Sequence, residues 1–384
     1  MEPRARMNGD GAQPALPSRL PTLTSLRFFA ALLVFSFHAS ELYAGTSIGP
    51  TALQVGSHGN TGVSFFFVLS GFVLTWGYQH VRDWPRFFAQ RVARIWPAHA
   101  VTWLGAIALA AVGVGTVRSG EGSALALVLL QAWVPDPDVS TAANGVSWTL
   151  SDELFFYALF PFVVAWFLHL SRRRQVQVAG GLLALVVIVQ AIADTDAGYN
   201  TWSWFGYFSP VGRLPEFLLG ILVAAWVRDR GRVGFGLGPA VAAALATYVA
   251  VTVIDPGKVG VSAVVPAFAL LVLGGAAADV EPGRRGLRHP VLVRLGELSF
   301  AFYLVHQGIL KGVDRVFGAS AHSSIPESVL ATAVGFCIAL AAAWALWRFV
   351  EAPVYAWARD RLRARRVDFR RTRVPREPSR AFNG

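Results

Sequence analysis

The chain has 384 residues, of which 54% are hydrophobic and only 15% are charged, well below the roughly 25% of charged residues in a typical soluble domain. A soluble protein of this length needs a polar surface that this composition cannot supply, whereas a bilayer can solvate apolar outer faces. The composition therefore excludes an ordinary soluble enzyme, and the formal net charge of +11 favours a negatively charged partner.

Ten apolar segments follow one another along the chain, each about as long as the roughly twenty residues that a helix needs to cross a bilayer. A further apolar run at 123–134 is too short to cross and ends at Pro135, so we interpret it as a re-entrant or interfacial helix. The sequence therefore predicts an all-α polytopic integral membrane protein with about ten transmembrane helices and one short re-entrant or interfacial helix. The predicted spans lie near 22–43, 61–80, 98–117, 147–170, 175–193, 204–227, 235–254, 260–279, 297–316 and 326–350.

Arginine is concentrated in alternate connections between these spans. Basic connections face the cytoplasm in most membrane proteins, and ten spans place every strongly basic connection on that side, with Arg118 as the exception. We therefore expect a multi-pass protein of the cytoplasmic membrane with both termini in the cytoplasm. The basic connections hold Arg82, Arg86, Arg91 and Arg94; Arg172, Arg173 and Arg174; Arg228, Arg230 and Arg232; and Arg284, Arg285 and Arg288.

The two ends of the chain differ from its apolar middle. We predict a disordered cytoplasmic N-terminus at 1–20, a membrane domain at 21–355 and a basic disordered tail at 356–384. Segment 359–380 carries ten arginines against three acidic residues. This excess fits either nucleic-acid binding or contact with anionic lipid headgroups. Its position directly after a span favours the bilayer as the partner, and we expect no nucleic acid.

Arg27 and His38 lie within the first predicted span, where a charged group costs about 2.5–3.5 kcal/mol. Their separation of eleven residues places both on one helix face, about 16 Å apart along the axis. Arg27 alone could be an interfacial snorkelling residue, and His38 alone could make a helix-packing hydrogen bond. Together they predict two parts of one cavity.

The fourth predicted span opens with Ser147, followed by Asp152 and Glu153. Ser147 or Asp152 could serve as a helix cap. A cap does not explain Glu153, which lies a full turn into an apolar helix, at a depth where it could meet His38. Because a carboxylate beside a histidine fixes its tautomer and stabilises its cationic form, this pair is typical of general base catalysis.

Three further residues within predicted spans are candidates for a substrate cavity. Arg213 and Glu216 are three residues apart, so they either neutralise each other or face a cavity. His306 lies near the middle of its span, either in a polar network with Tyr303 or in the same cavity. We retain Arg213, Tyr303 and His306 as cavity candidates.

Arg91 and Arg94 lie one helical turn apart in a predicted cytoplasmic loop. Arginine binds phosphate through paired donors, so these two residues and Arg27 would meet a polyanionic nucleotide that enters from the cytosol. The alternative is that the arginines only fix the membrane topology, a role that coexists with binding.

Seven segments between Leu23 and Pro353 carry these residues in a fixed order. They contain Arg27 and His38; Ser64 to Phe72; Arg91 to Pro97; Trp148 to Glu153 with Phe156, Tyr157 and Pro161; Arg213, Phe217 and Gly220; Ser299, Tyr303 and His306; and Glu351 and Pro353. In this order and spacing they resemble the membrane-bound acyltransferase family 3, whose members O-acetylate bacterial surface sugars, Nod factors and macrolide antibiotics.

The resemblance implies an acyl-CoA donor, usually acetyl-CoA, and a hydroxyl-bearing acceptor, with no metal. We then expect His38 to act as general base or transient acyl carrier, Glu153 to hold its imidazole, and Arg27, Arg91 and Arg94 to bind the donor phosphates. The acceptor would be a carbohydrate or a glycosylated metabolite such as a macrolide. The alternative is a secondary transporter or exporter of a small polar molecule, because such proteins also line their paths with ionisable residues.

Overall fold

The computed structural model describes residues 17, 19–78, 83–115, 119–193, 200–230, 233–254, 260–281, 283–322 and 324–371. Within these ranges the regular secondary structure is helical and no strand occurs, which confirms the all-α prediction. The long helices are α1 (Pro21–Ser40), α2 (Gly62–Trp76), α3 (Trp84–Ala111), α4 (Trp148–Leu168), α5 (Arg172–Ala193), α6 (Pro210–Arg230), α7 (Leu237–Ile254), α8 (Gly260–Val280), α9 (Pro290–Phe317), α10 (Ile325–Leu346) and α11 (Ala352–Arg371).

Nine helical segments in the described ranges are long and apolar enough to cross a membrane, which confirms the polytopic prediction. They correspond to α1 to α8 and α10. The remaining predicted span, α9, is 28 residues long but carries charged residues towards its ends, including Arg294, Glu297 and Asp314. Because α9 packs between α1 and α10, its polar residues can face protein rather than lipid.

Helix α3 begins at Trp84, well before the predicted span at 98. The Asp83 side chain accepts a hydrogen bond from the Arg86 backbone N–H at 3.1 Å, and Pro85 lies in the first turn, as is typical of a helix start. Arg91 and Arg94 are therefore helical residues, and the predicted loop is wrong. Hydropathy placed the boundary too late because these arginines face the protein interior.

The short apolar run that starts near 123 forms a helix at Gly120–Leu127, too short to cross a bilayer. It ends before Leu129, which has a left-handed backbone with φ of 61°. Side chains of α3 cover its last carbonyl groups: Trp103 Nε1 donates to the Ser123 oxygen at 2.9 Å, and His99 Nε2 lies 2.8 Å from the Ala126 oxygen. These bonds fix the segment against α3.

Helix α1 is held in the middle of the bundle by its neighbours α2, α8 and α9. The buried carboxylate of Asp279 in α8 accepts hydrogen bonds from the backbone N–H groups of Thr22 and Leu23, which satisfies the start of α1. At Gly296 of α9, an added Cβ would overlap the carbonyl oxygen of Thr24. This close approach fixes where Arg27 and His38 lie.

Helix α10 continues through a π-helical turn at Trp347–Glu351 into α11. The predicted tail, 356–384, thus begins inside a described helix, and residues 372–384 lie outside the described ranges, as do residues 1–16 and 18. The three predicted regions of the chain remain predictions.

Candidate functional site

A cavity of about 120 Å³, called here the arginine cavity, lies between α1, α2, α3, α4 and α9. Arg27 reaches it from α1, and Arg91 and Arg94 reach it from α3. Three arginines predicted to act together therefore share one cavity. Its remaining polar lining residues are Ser70, Thr149, Glu153, Tyr157 and Tyr303.

The positive charge of this cavity is not neutralised at contact distance. Within the described residues, none of the three guanidinium groups has an ion-pair partner, and Arg91 Nε is buried without a hydrogen bond. Arg91 lies over the Phe87 ring at 5.2 Å, and Arg94 over the Tyr355 ring at 6.0 Å. Clustered guanidinium groups with unused donors favour an anionic ligand.

Two carboxylates lie near enough to act on these charges without forming a close pair. Glu351, from the π-helical turn after α10, acts electrostatically on Arg27 and Arg94. Glu153 lines the cavity, where it accepts a short hydrogen bond from Tyr157 and another from Ser70 at 3.3 Å. Glu153 therefore belongs to the arginine cavity.

His38 belongs to a second cluster, and it is not among the residues that line the arginine cavity. Its ring centroid lies 5.3 Å from that of His306 in α9, and its Nδ1 atom lies 3.5 Å from Gln307 Nε2 and 3.9 Å from a carboxylate oxygen of Glu41. His306 is fully buried, and its Nδ1 lies 2.7 Å from the Tyr303 backbone oxygen. Because a carbonyl only accepts, Nδ1 of His306 carries the proton.

The remaining nitrogen of His306 is therefore a basic site when the ring is neutral. His306 Nε2 is buried and has no hydrogen-bond partner within the described part of the chain. Buried polar atoms in native proteins are normally paired, so this atom is free to accept a proton or hydrogen bond from a neighbour. The adjacent ring is His38.

The predicted pairing of Glu153 with His38 is not present in this structure. Glu153 does not contact His38, because its carboxylate is held by Tyr157 and Ser70. His38 does not line the arginine cavity, whereas Tyr303 does, and the ring centroid of Tyr303 lies 5.8 Å from that of His306. A continuous cavity from Arg27 to His38 stays a prediction. The Tyr303 hydroxyl donates to the Val146 oxygen at 3.0 Å, which fixes the orientation of the ring.

Arg213 lies behind the cavity wall and does not line it. It forms a buried ion pair with Glu216 at 3.0 Å, donates to Ser64 Oγ at 3.0 Å and lies over the Phe67 ring at 5.4 Å. Of the two interpretations of Arg213, the structure supports the one in which Arg213 and Glu216 neutralise each other. Since Phe67 lines the cavity, Arg213 supports its wall.

The sequence interpretation also misses several contacts. Ser147 is the N-cap residue of α4, but its hydroxyl donates to the Asn144 oxygen at 2.7 Å instead of capping the helix. The spacing of His38 and Glu41, three residues apart, could have indicated their proximity. No sequence signal singles out Gln307.

A comparison with known proteins decides the family. Residues 20–348 match the family Acyl_transf_3, described as an acyltransferase domain. The match spans most of the chain. It includes all the residues that line the arginine cavity, as well as His38 and His306. The chain belongs to this acyltransferase family.

Two relatives of the acyltransferase are similar over long stretches. Acyltransferase MdmB of Streptomyces mycarofaciens is 37% identical in an alignment of 354 positions that covers 87% of this chain and 91% of the relative. Exopolysaccharide production protein ExoZ of Rhizobium meliloti (strain 1021) is 31% identical over 206 residues, 50% of this chain and 56% of the relative. No solved structure matches the acyltransferase significantly. The enzyme is a multi-pass membrane acyltransferase.

Proposed function

We propose that the enzyme transfers an acyl group, most simply acetyl, from an acyl-CoA thioester to a hydroxyl of a carbohydrate or of a glycosylated metabolite such as a macrolide. The observation that carries the proposal is the convergence of Arg27, Arg91 and Arg94, without ion-pair partners among the described residues, in one cavity of an acyltransferase. Coenzyme A carries several phosphates, and arginine forks match phosphate geometry.

The two similar proteins support the acceptor class in different degrees. The name of ExoZ places it in exopolysaccharide production, whereas the name of MdmB states only that it is an acyltransferase. Family membership favours an enzyme over the alternative of a secondary transporter. The enzyme would work in the cell membrane with both termini in the cytoplasm, so that the arginines at the start of α1 and α3 face the donor.

The chemistry needs one base. His38 takes the proton of the acceptor hydroxyl, the oxygen attacks the thioester carbonyl, the new C–O bond forms and the C–S bond breaks. The thiolate of coenzyme A then takes the proton from the His38 imidazolium, which restores the enzyme. A charged His38 can donate to His306 Nε2, which is buried and has no hydrogen-bond partner among the described residues, so His306 takes the role that the sequence interpretation gave to Glu153.

The Tyr303 side chain would then have to rotate during the reaction. Tyr303 lines the arginine cavity, and its ring centroid lies 5.8 Å from that of His306, so the acyl group would reach the histidine pair when the Tyr303 ring swings away from Val146. Glu153 and Tyr157 remain with the donor, where the carboxylate limits the repulsion among the three arginines. The acyl-CoA binding site and the histidine pair would thus both lie next to Tyr303.

The proposal is tested by thioester cleavage in the purified enzyme, reconstituted in nanodiscs with acetyl-CoA. A thiol reagent measures the released coenzyme A, and the background variant Cys337→Ala removes the only thiol of the protein. We expect release that rises when a carbohydrate or macrolide with free hydroxyls is added, and a mass increase of that alcohol by one acetyl group. Release that no alcohol accelerates, with no acylated product, would reject the function.

A further inference from the structure

A second cavity, of about 450 Å³, lies between α3, α9 and α10 and is called here the apolar cavity. It shares no lining residue with the arginine cavity. On α9 the two cavities meet at neighbouring positions, because Tyr303 lines the arginine cavity and Leu304 lines the apolar cavity. Each cavity thus has a lining residue next to the histidine pair: the Tyr303 ring centroid lies 5.8 Å from that of His306, and Gln307 lies beside His38.

Gln307 connects the apolar cavity to His38. It lines the cavity, and its amide nitrogen lies 3.5 Å from His38 Nδ1. Gly145 leaves room for this amide, since an added Cβ would lie 2.7 Å from Gln307 Oε1. A group that reaches the Gln307 end of the cavity is thus next to the candidate base.

The lining restricts what the apolar cavity can hold. Most of its walls are aliphatic, and its polar side chains in the described ranges are few: Thr102, Asn144, Gln307 and Lys311. Thr102 already donates within α3, and Asn144 donates to the Leu304 oxygen at 2.9 Å. A bare sugar chain would bury many hydroxyls without partners, at a cost for each. An apolar body with its hydroxyl at one end fits such a site.

We propose that the apolar cavity binds the apolar body of the acceptor, an amphipathic alcohol whose hydroxyl lies at Gln307 beside His38. This inference rests on the proposed acyl transfer and adds the class of acceptor and the place where it binds. Donor and acceptor then reach the histidine pair from two separate cavities, and neither has to leave for the other to bind.

Gly105 of α3 offers a way to fill the cavity without disturbing the fold. It lines the apolar cavity, and a Cβ added there would meet no atom within 4 Å. Gly181 of α5 is a matched control, because it is also an exposed helical glycine with open space and lies outside both cavities. Gly105→Leu and Gly181→Leu therefore add the same side chain, one inside the proposed site and one away from it.

The kinetic test compares hexyl glucoside with methyl glucoside, which carry the same sugar hydroxyls on apolar bodies of different length. Hydrophobic pockets discriminate by about tenfold or more for a single methylene, so the wild-type enzyme should prefer hexyl glucoside in kcat/KM by at least about tenfold. Gly105→Leu should lose most of this preference, while Gly181→Leu should retain it. An equal preference in the two variants, or none in the wild type, would overturn the proposal.

A binding test decides the question independently of catalysis. A hexyl glucoside with a diazirine in its alkyl chain should crosslink to α3, α9 or α10 in nanodiscs, with at least about a fivefold loss in Gly105→Leu only. Crosslinking without acyl transfer would support binding of the alcohol in the apolar cavity but reject the proposed function. Acyl transfer with no crosslink in these helices, or a crosslink displaced by diacyl lipid but not by hexyl glucoside, would reject the cavity alone.

Discussion

The arginine cavity concentrates three positive charges in a largely apolar setting. Arg27 and Arg94 repel each other, and Glu351 and Glu153 offset this only from a distance. A protein gains little by holding such charges together without a ligand, because each has lost part of its hydration. A bound polyphosphate would supply the missing partners.

Arg94→Ala should therefore weaken the binding of acyl-CoA. Hydrogen bonds to charged groups contribute about 1.5–3 kcal/mol, so we expect the Kd of a non-hydrolysable thioether analogue of acetyl-CoA to rise by about tenfold or more. Arg86→Ala is the control, since Arg86 lies on the same helix but does not line the cavity. Calorimetry in nanodiscs gives the Kd values, and equal values for the two variants would count against the phosphate site.

His306 is a positioning residue in this account, acting through His38. Its buried Nε2 can accept a hydrogen bond from His38 once that ring is charged. The substitution His306→Leu removes this acceptor, whereas His306→Gln keeps one in its amide oxygen.

We expect His306→Leu to lower kcat by about a hundredfold, in the range of general base effects, with the Kd of the acyl-CoA analogue unchanged. His306→Gln should recover part of the rate. Steady-state kinetics and calorimetry separate the two quantities. A parallel loss of kcat and donor affinity in both variants would indicate a purely structural role.

The helices of the bundle are positioned by close backbone contacts. Helices α2 and α6 cross where a Cβ on Gly71 would overlap the Phe217 carbonyl oxygen and a Cβ on Gly220 would overlap that of Val68. Small residues at such crossings allow helices to pack in a membrane. Phe67 and Ser70, which line the arginine cavity, lie on α2 beside this crossing.

Gly220→Val should push α2 away from α6. Overpacking of this kind costs about 1–3 kcal/mol, so the variant should lose its folded state at a lower temperature than the wild type. Gly181→Val, at an open position of α5, should melt as the wild type does. Fluorescence-detected size-exclusion chromatography after heating measures both, and an unchanged melting temperature for Gly220→Val would contradict the packing argument.

The amino-acid pattern predicts most helices because lipid-facing surfaces demand apolar residues. It fails where a helix turns polar residues inward, as at the start of α3. The sequence pattern correctly groups Arg27, Arg91 and Arg94 as neighbours, because all three lie at the same predicted end of the helix bundle. It could not assign Glu153 to Tyr157 instead of His38, because that choice depends on how α4 is rotated against its neighbours.

At the scale of the whole molecule, the membrane topology determines from which side of the membrane each substrate would reach the enzyme. Arg27 lies in the first turns of α1, and Arg94 lies near the start of α3. If the basic connections are cytoplasmic, the donor phosphates bind at the cytoplasmic end. The same rule predicts that the arginine-rich C-terminus is cytoplasmic.

A C-terminal fusion tests this orientation. Green fluorescent protein fused after Gly384 should fluoresce in a bacterial host, whereas alkaline phosphatase at the same position should stay inactive, because it requires export. An active phosphatase fusion would place the tail outside and reverse the assignment of the arginine cavity to the donor side.

The central claim is that His38 performs the acyl transfer to which the arginine cavity supplies the donor. The most direct measurement is the transfer of radiolabelled acetyl from acetyl-CoA to an alcohol by purified His38→Ala in nanodiscs, together with its affinity for the acetyl-CoA analogue. We predict a loss of transfer of at least about a hundredfold with normal insertion and an unchanged Kd. Transfer at the wild-type rate by this variant would contradict the account.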